Sequence, residues 1–222
     1  VIETLFPNVR WDRMWDATLE TLYMTGISLV ATFILGILLG LLLYLTARGN
    51  IWANRPVNAV IGAYVNVTRS IPFVILLILI IPFTKLIVGT ILGPTAALPA
   101  LIIGAAPFYA RMVEIALREI DKGVIEAAQS MGASSSTIIF KVLLPESTPA
   151  LISGITVTTI AMIGYTAMAG IVGGGGLGTL AYQEGFQRGN GDVTLVATIV
   201  ILLIVFIIQW IGDLFTYSTD KR

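Results

Sequence analysis

Long apolar stretches separated by charged residues set the pattern of this chain. No charged residue occurs in 21–47, 86–110, 147–183 or 193–212, and 56–84 is interrupted only by Arg69. About 20 consecutive apolar residues carry a helix across the hydrocarbon core of a bilayer, so each stretch is long enough for one crossing. The pattern predicts an all-α polytopic membrane protein with five transmembrane helices over about 21–47, 58–83, 95–117, 148–170 and 193–216. The first 20 residues carry Glu3, Arg10, Asp12, Arg13, Asp16 and Glu20. They lack a basic segment followed by a short apolar run and a cleavage site, so no cleaved signal peptide is read.

An odd number of spans puts the termini on opposite sides, and an excess of Lys and Arg in short loops marks the cytoplasmic side. With the N-terminus outside, the inner side collects Arg48, Arg55, Arg118, Lys122, Lys141, Lys221 and Arg222, against Arg10, Arg13, Lys85 and Arg188 outside. The prediction is N-out/C-in, with 1–20 as an N-terminal extracytoplasmic segment, 21–217 as the transmembrane domain and 218–222 as a cytoplasmic tail. The second span is the least regular, because Arg69 is followed by Pro72, which removes a backbone donor and kinks a helix. A charge facing lipid at mid-bilayer costs at least about 2.5–3.5 kcal/mol. Arg69 therefore faces protein, a cavity or the inner headgroups, and both snorkelling and a part in gating or substrate contact stay open. Arg111, Glu114 and Arg118 fall at i,i+3 and i,i+4 spacing and can neutralise one another.

Composition narrows the chemistry. The chain of 222 residues is 56% hydrophobic and 12% charged, where a soluble domain is about 25% charged. Its net charge is zero and it has no basic run, which excludes nucleic acid as a partner. With no Cys and no His, disulfides, thiolate nucleophiles, His/Cys metal sites and Ser-His-Asp catalysis are absent. No catalytic, cofactor-binding or metal-ligating residue is assigned. No G-x-x-x-x-G-K-[ST] occurs, so this chain does not itself hydrolyse ATP. The run 173–178 formally satisfies G-x-G-x-x-G, but it follows a membrane helix and reads as a flexible external loop. Gly36 and Gly40 form a small-xxx-small face on the first helix. Asn66-Val67-Thr68 matches a glycosylation sequon but lies in or beside a membrane helix on the inner side, so it is set aside. Gly189-Asn190-Gly191-Asp192 reads G-x-G-D, as in an intramembrane aspartyl protease, a chemistry that needs two carboxylates at one site. Asp213 is about 30 Å away along the same helix at 1.5 Å per residue, which argues against that reading.

The longest polar interruption is 119–146. Val124, Ala128 and Met131 recur at i, i+4 and i+7, the spacing of one face of a short amphipathic helix. Gly132 stands where a left-handed C-cap belongs, and Ser134 or Ser135 can cap a second helix through Ile138, Ile139, Val142 and Leu143 that stops at Pro145. Such a helix–turn–helix knob can pack on its own bundle, on lipid or into a groove on a partner.

The knob carries a resemblance. Glu126-Ala127-Ala128, then Gly132, then Leu144-Pro145 are similar to the EAA loop of ABC-importer permeases, with Val142 where that family usually has Ile. Arg69-Ser70-Ile71-Pro72-Phe73, Gly104-Ala105-Ala106-Pro107-Phe108, Ala110-Arg111-Met112-Val113-Glu114, Gly164-Tyr165 and Gly175-Gly176-Leu177-Gly178 extend the likeness. Together they resemble the methionine-uptake permeases of bacteria, within the ABC type-1 importer fold. The resemblance implies a homodimer in the bacterial cytoplasmic (inner) membrane, two ABC ATPase subunits carrying ATP and Mg, and an extracytoplasmic methionine-binding protein. It assigns ATPase coupling to Glu126, Ala127, Ala128, Gly132, Val142, Leu144 and Pro145. It makes Tyr165 and Met168 candidates for the gate or substrate path, to which Arg69, Pro72 and Met162 are added. Met162, Tyr165 and Met168 share a broad helical face, and ordinary bundle packing is the other reading of them. A permease for another small amino acid or peptide is the alternative within the class, and a passive channel the alternative outside it.

Overall fold

The structure is a computed structural model and describes residues 6–219. Residues 1–5 and 220–222 lie outside the described residues, and with them the start of the expected N-terminal segment, Lys221, Arg222 and most of the expected tail. The helices run in the order α1 Trp11–Thr46, α2 Arg55–Ser70, α3 Phe73–Leu79, α4 Ile81–Val88, α5 Pro94–Arg118, α6 Lys122–Ser130 and α7 Ser135–Ile171. They end with α8 Gly176–Thr179, continued as a π-helical stretch Leu180–Gln187, and α9 Gly191–Thr219. No strand occurs among the described residues.

Among the described residues four helices, α1, α5, α7 and α9, are long and apolar enough to cross a membrane. The second expected span differs from the single helix predicted over 58–83. That range holds α2, α3 and the start of α4, and α2 and α3 are bent by 108° at the break between Ser70 and Phe73. The cause is Pro72, which pushes the preceding Ile71 out of helical geometry and stands at the N-cap of α3 with φ −55° and ψ 134°.

Three further differences have physical reasons. α1 starts ten residues before the apolar stretch, because charges end a membrane span and not a helix; its charged first turns are engaged, Arg13 with Glu184 and Glu20 with the amide of Gly176. The second helix of the knob does not stop at Pro145 but runs on as α7. A proline ring clashes with the carbonyl four residues back, here that of Lys141. Ile139–Leu143 is wound as a π-turn that widens the helix at that place, and Pro145 falls in the first turn of the α-helical stretch Leu144–Ile171. The glycine run 173–178, expected to be a flexible loop, is a packed junction whose Gly176, Leu177 and Gly178 are buried.

The chain divides into two compact units. The unit formed by residues up to 31, 71–105 and 159–209 has one core around Met24, Phe73, Leu101 and Met162 and another around Ile163, Leu177, Val193 and Ala197. The unit formed by 32–70, 106–158 and the residues from 210 on is built around Leu45, Tyr109, Leu117, Ile138 and Leu143. There α1 closes on α5 through its glycines: a Cβ on Gly36 would lie 2.5 Å from the Tyr109 ring, and one on Gly40 2.5 Å from Val113 Cβ and 2.7 Å from the Ala110 carbonyl. Without a hydrophobic driving force in lipid, such close approach of backbones supplies the packing that holds helices together.

Gly40→Ala is expected to destabilise the protein by about 1–3 kcal/mol through overpacking. Gly26→Ala on the same helix, with no atom within 4 Å of its Cβ position, should instead stabilise by about 0.5–1 kcal/mol. Thermal unfolding of the two variants in one detergent checks the opposite signs.

Candidate functional site

The segment 119–146 is shaped by local chain chemistry at each of its corners. Asp121 caps α6, its side chain accepting the Gly123 amide at 2.7 Å. The helix ends at Gly132, whose φ of 78° is left-handed. The Gly132 amide donates to the Gln129 carbonyl at 2.9 Å and the Ala133 amide to the Ala128 carbonyl at 3.1 Å, the paired bonds of a Schellman stop. Two residues on, Ser134 caps α7 by accepting the Thr137 amide at 3.3 Å. Both the glycine stop and the serine cap agree with what the residue types predict.

The structure shows how much of the α6 face packs on the chain itself. Of Val124, Ala128 and Met131, only Ala128 is buried, in one cluster with Ile120, Ile138, Ile139 and Leu143; Val124 is 46% and Met131 81% exposed. The reason is that α6 buries a narrow edge made by Ala128 and the half-buried Ile125. The close approach that Ala128 permits is therefore to the chain's own core. Ala127 and Glu126 face outward, and Glu126 makes no ion pair among the described residues. Glu126 borders a cleft of about 110 Å³ together with Asn50, Lys122 and Gln129. Val142 and Leu144 pack partly against the core, Pro145 is exposed, and Phe140 is 68% exposed beside them. The knob thus leaves Val124, Met131 and Phe140 exposed together with the charged Lys122, Glu126 and Lys141.

Close to this segment in sequence, Glu114 is 2% exposed and is bracketed by Arg111 and Arg118, each at 2.5 Å from a different carboxylate oxygen. The second guanidinium nitrogen of Arg111 donates to Asn66 Oδ1 at 2.6 Å. This is the neutralising triad that the spacing predicts. Asn66 enters the sequence pattern only as part of a sequon; its place one turn before Ser70, on a helix facing α5, is the signal that points to this second role.

The candidate path residues divide. Arg69 is exposed, with its guanidinium 5.8 Å from the centre of the Phe108 ring, and Pro72 is exposed at the helix break. Met162 is fully buried in the core with Met24 and Phe73. Tyr165 is half-buried, its ring stacked on Phe73 at 4.5 Å, and Met168 is 42% exposed. In the sequence Phe73 contributes only to the resemblance, and its contact with Tyr165 is a long-range one that no local spacing displays.

The model of the family described as "Binding-protein-dependent transport system inner membrane component" matches residues 34–221. The "Methionine import system permease protein MetP" of Bacillus subtilis (strain 168) is 68% identical over 222 residues, covering 100% of both chains. The "Probable D-methionine transport system permease protein MetI" of Pasteurella multocida (strain Pm70) is 50% identical, over 96% of this chain and 98% of that one. Among solved structures, a chain of "Inward facing conformations of the MetNI methionine ABC transporter: CY5 native crystal form" superposes with a TM-score of 0.92 at 45% identity, covering 94% of this chain and 97% of that one.

Nothing lies within 4 Å of a Cβ built on Gly132, so handedness and not space restricts this position. Gly132→Val is expected to destabilise the turn by about 1–2 kcal/mol and Gly132→Asn by less, since Asn tolerates the left-handed region. Amide hydrogen exchange across 122–133 reads the difference.

Proposed function

Because this chain belongs to the family of binding-protein-dependent transport system inner membrane components, we propose that it is the permease subunit of an ATP-driven methionine importer in the bacterial cytoplasmic membrane. As a multi-pass membrane protein it acts as a transport subunit, and ATP and Mg belong to a separate ATPase subunit. Two copies form the translocation pathway, two ATPase subunits dock below, and an extracytoplasmic binding protein delivers the substrate. The observation that carries this reading is the exposed knob of α6 and the start of α7, on which Glu126, Val124, Met131 and Phe140 are all exposed. Its likeness to the 68% identical methionine import permease gives the substrate class.

The physical form of the coupling follows from the knob. Apolar side chains at its rim lose water when a partner covers them, and Glu126 meets a basic group that sets register and orientation. Movement of the ATPase pair displaces α6, and the Gly132 turn hands this displacement to α7, the helix that also carries Met162, Tyr165 and Met168. A substrate or nucleotide shifts the balance of inward and outward states only by binding one of them better. Residues on the substrate path are Tyr165 and Met168, supported by their partial exposure, with Arg69 and Pro72 at the helix break.

The chain reconstituted with its ATPase subunit should show ATP hydrolysis that rises with methionine-loaded binding protein. Glu126→Lys should insert normally yet lose affinity for the ATPase at least about tenfold and lose uptake with it. A stable complex that responds to a different amino acid would overturn the substrate, and coupled uptake by Glu126→Lys would overturn the role of the knob.

A further inference from the structure

Phe73 opens α3 directly after the break at Pro72, and it is 7% exposed although it stands in the first turn of its helix. Its ring lies parallel to that of Tyr165, with centroids 4.5 Å apart and planes inclined by 7°. Gly104 of α5 closes on the same ring, since a Cβ there would lie 3.3 Å from Phe73 Cδ2 and 3.4 Å from Leu76 Cδ2. Phe73 is thus confined by the proline before it, the missing side chain at Gly104 and the aromatic plane of Tyr165.

The half-buried Tyr165 has one ring face covered by Phe73, which leaves the other face and the edge as the parts of the ring that Phe73 does not cover. An aromatic edge is where a thioether sulfur makes a favourable contact, with the sulfur about 5 Å from the ring. The surroundings already hold this chemistry: Met24 and Met162, both fully buried, share the core cluster of Phe73 against which Tyr165 packs.

We propose that Phe73 is a positioning residue that fixes the ring plane of Tyr165, so that the free face and edge of Tyr165 receive the thioether of the passing substrate. The pair then favours a sulfur-containing side chain over its hydrocarbon isostere. This inference rests on the reading of the chain as a methionine permease.

The experiment compares uptake of methionine and of norleucine, in which CH₂ replaces sulfur, by the complete transporter in proteoliposomes, with maximal rate and KM resolved for each. Phe73→Leu should lower the methionine-to-norleucine ratio of maximal rates by about two- to tenfold. Phe73→Tyr should restore the ratio, and Gly104→Ala, which presses on the same ring, should lower it. An unchanged ratio in Phe73→Leu would overturn the proposal. Should that variant fail to insert, an unchanged ratio in Gly104→Ala would do so equally. An equal fall in rate for both substrates would mark Phe73 as a packing residue only, and overturn the proposal as well. Failure of the parent reading is separate and visible beforehand, as wild-type complex whose hydrolysis ignores methionine.

Discussion

In hydrocarbon no water is available to a backbone amide, so every N–H and C=O must find its partner within the protein. The rest of this structure follows from how that demand is met where a helix cannot meet it. At Pro72 the chain leaves helical geometry for two residues and restarts. Around Pro145 it stays helical and widens into a π-turn. At the start of α8 the first amides have no helical acceptor, and α1 supplies them: Glu20 accepts the Gly176 amide at 2.6 Å and the Thr21 hydroxyl accepts the Leu177 amide at 2.9 Å. Gly175 and Gly176 have φ of 80° and 73°, and a Cβ on Gly176 would press on the Thr21 hydroxyl and the Met24 methyl at 2.7 and 2.8 Å. Glycine is needed there both for handedness and for closeness.

The same medium decides how charge is carried. A buried charge is costly unless it is paired and hydrogen-bonded, and Glu114, at 2% exposure, has a guanidinium on each oxygen. Arg118 is mostly exposed and Arg111 only partly, and the second nitrogen of Arg111 donates to Asn66. The triad therefore ties α5 to α2 by directed bonds where apolar packing alone leaves helices free to slide. Asn58 does the same between α2 and α1, donating to the Leu43 carbonyl at 2.8 Å and the Thr46 hydroxyl at 3.0 Å.

Features decided by neighbours along the chain are legible in the amino-acid sequence alone. The extents of α5 and α9 follow from apolar length, the Arg111–Glu114–Arg118 triad from helical spacing, and the Gly132 stop and Ser134 cap from the residue types at a turn. Features that depend on distant partners are hidden. Charge counting puts the start of the first helix at the edge of the apolar stretch, because the amide that donates to Glu20 and the carboxylate that pairs with Arg13 come more than 150 residues later. The glycine run reads as loose for the same reason. Which edge of α6 turns inward is hidden as well, since only the packing of Ile120 and Ile139 shows that Ala128 and Ile125 fill the available space.

The knob is therefore ordered by the chain's own residues. Asp121, Gly132 and Ser134 settle its corners by bonds between residues at most five apart, and Ala128 anchors it to the core through a side chain of one carbon. A surface ordered in advance gives up little conformational freedom on association, so under the proposed docking of an ATPase subunit the exposed Val124, Met131 and Phe140 would contribute their burial almost entirely to binding. The same rigidity would serve the proposed transmission. A loose loop would absorb a displacement of α6, whereas a Schellman stop followed within two residues by a helix cap has little slack in which to lose it. The local rules that make this segment readable in sequence are the ones that make it a stiff link between a surface and α7.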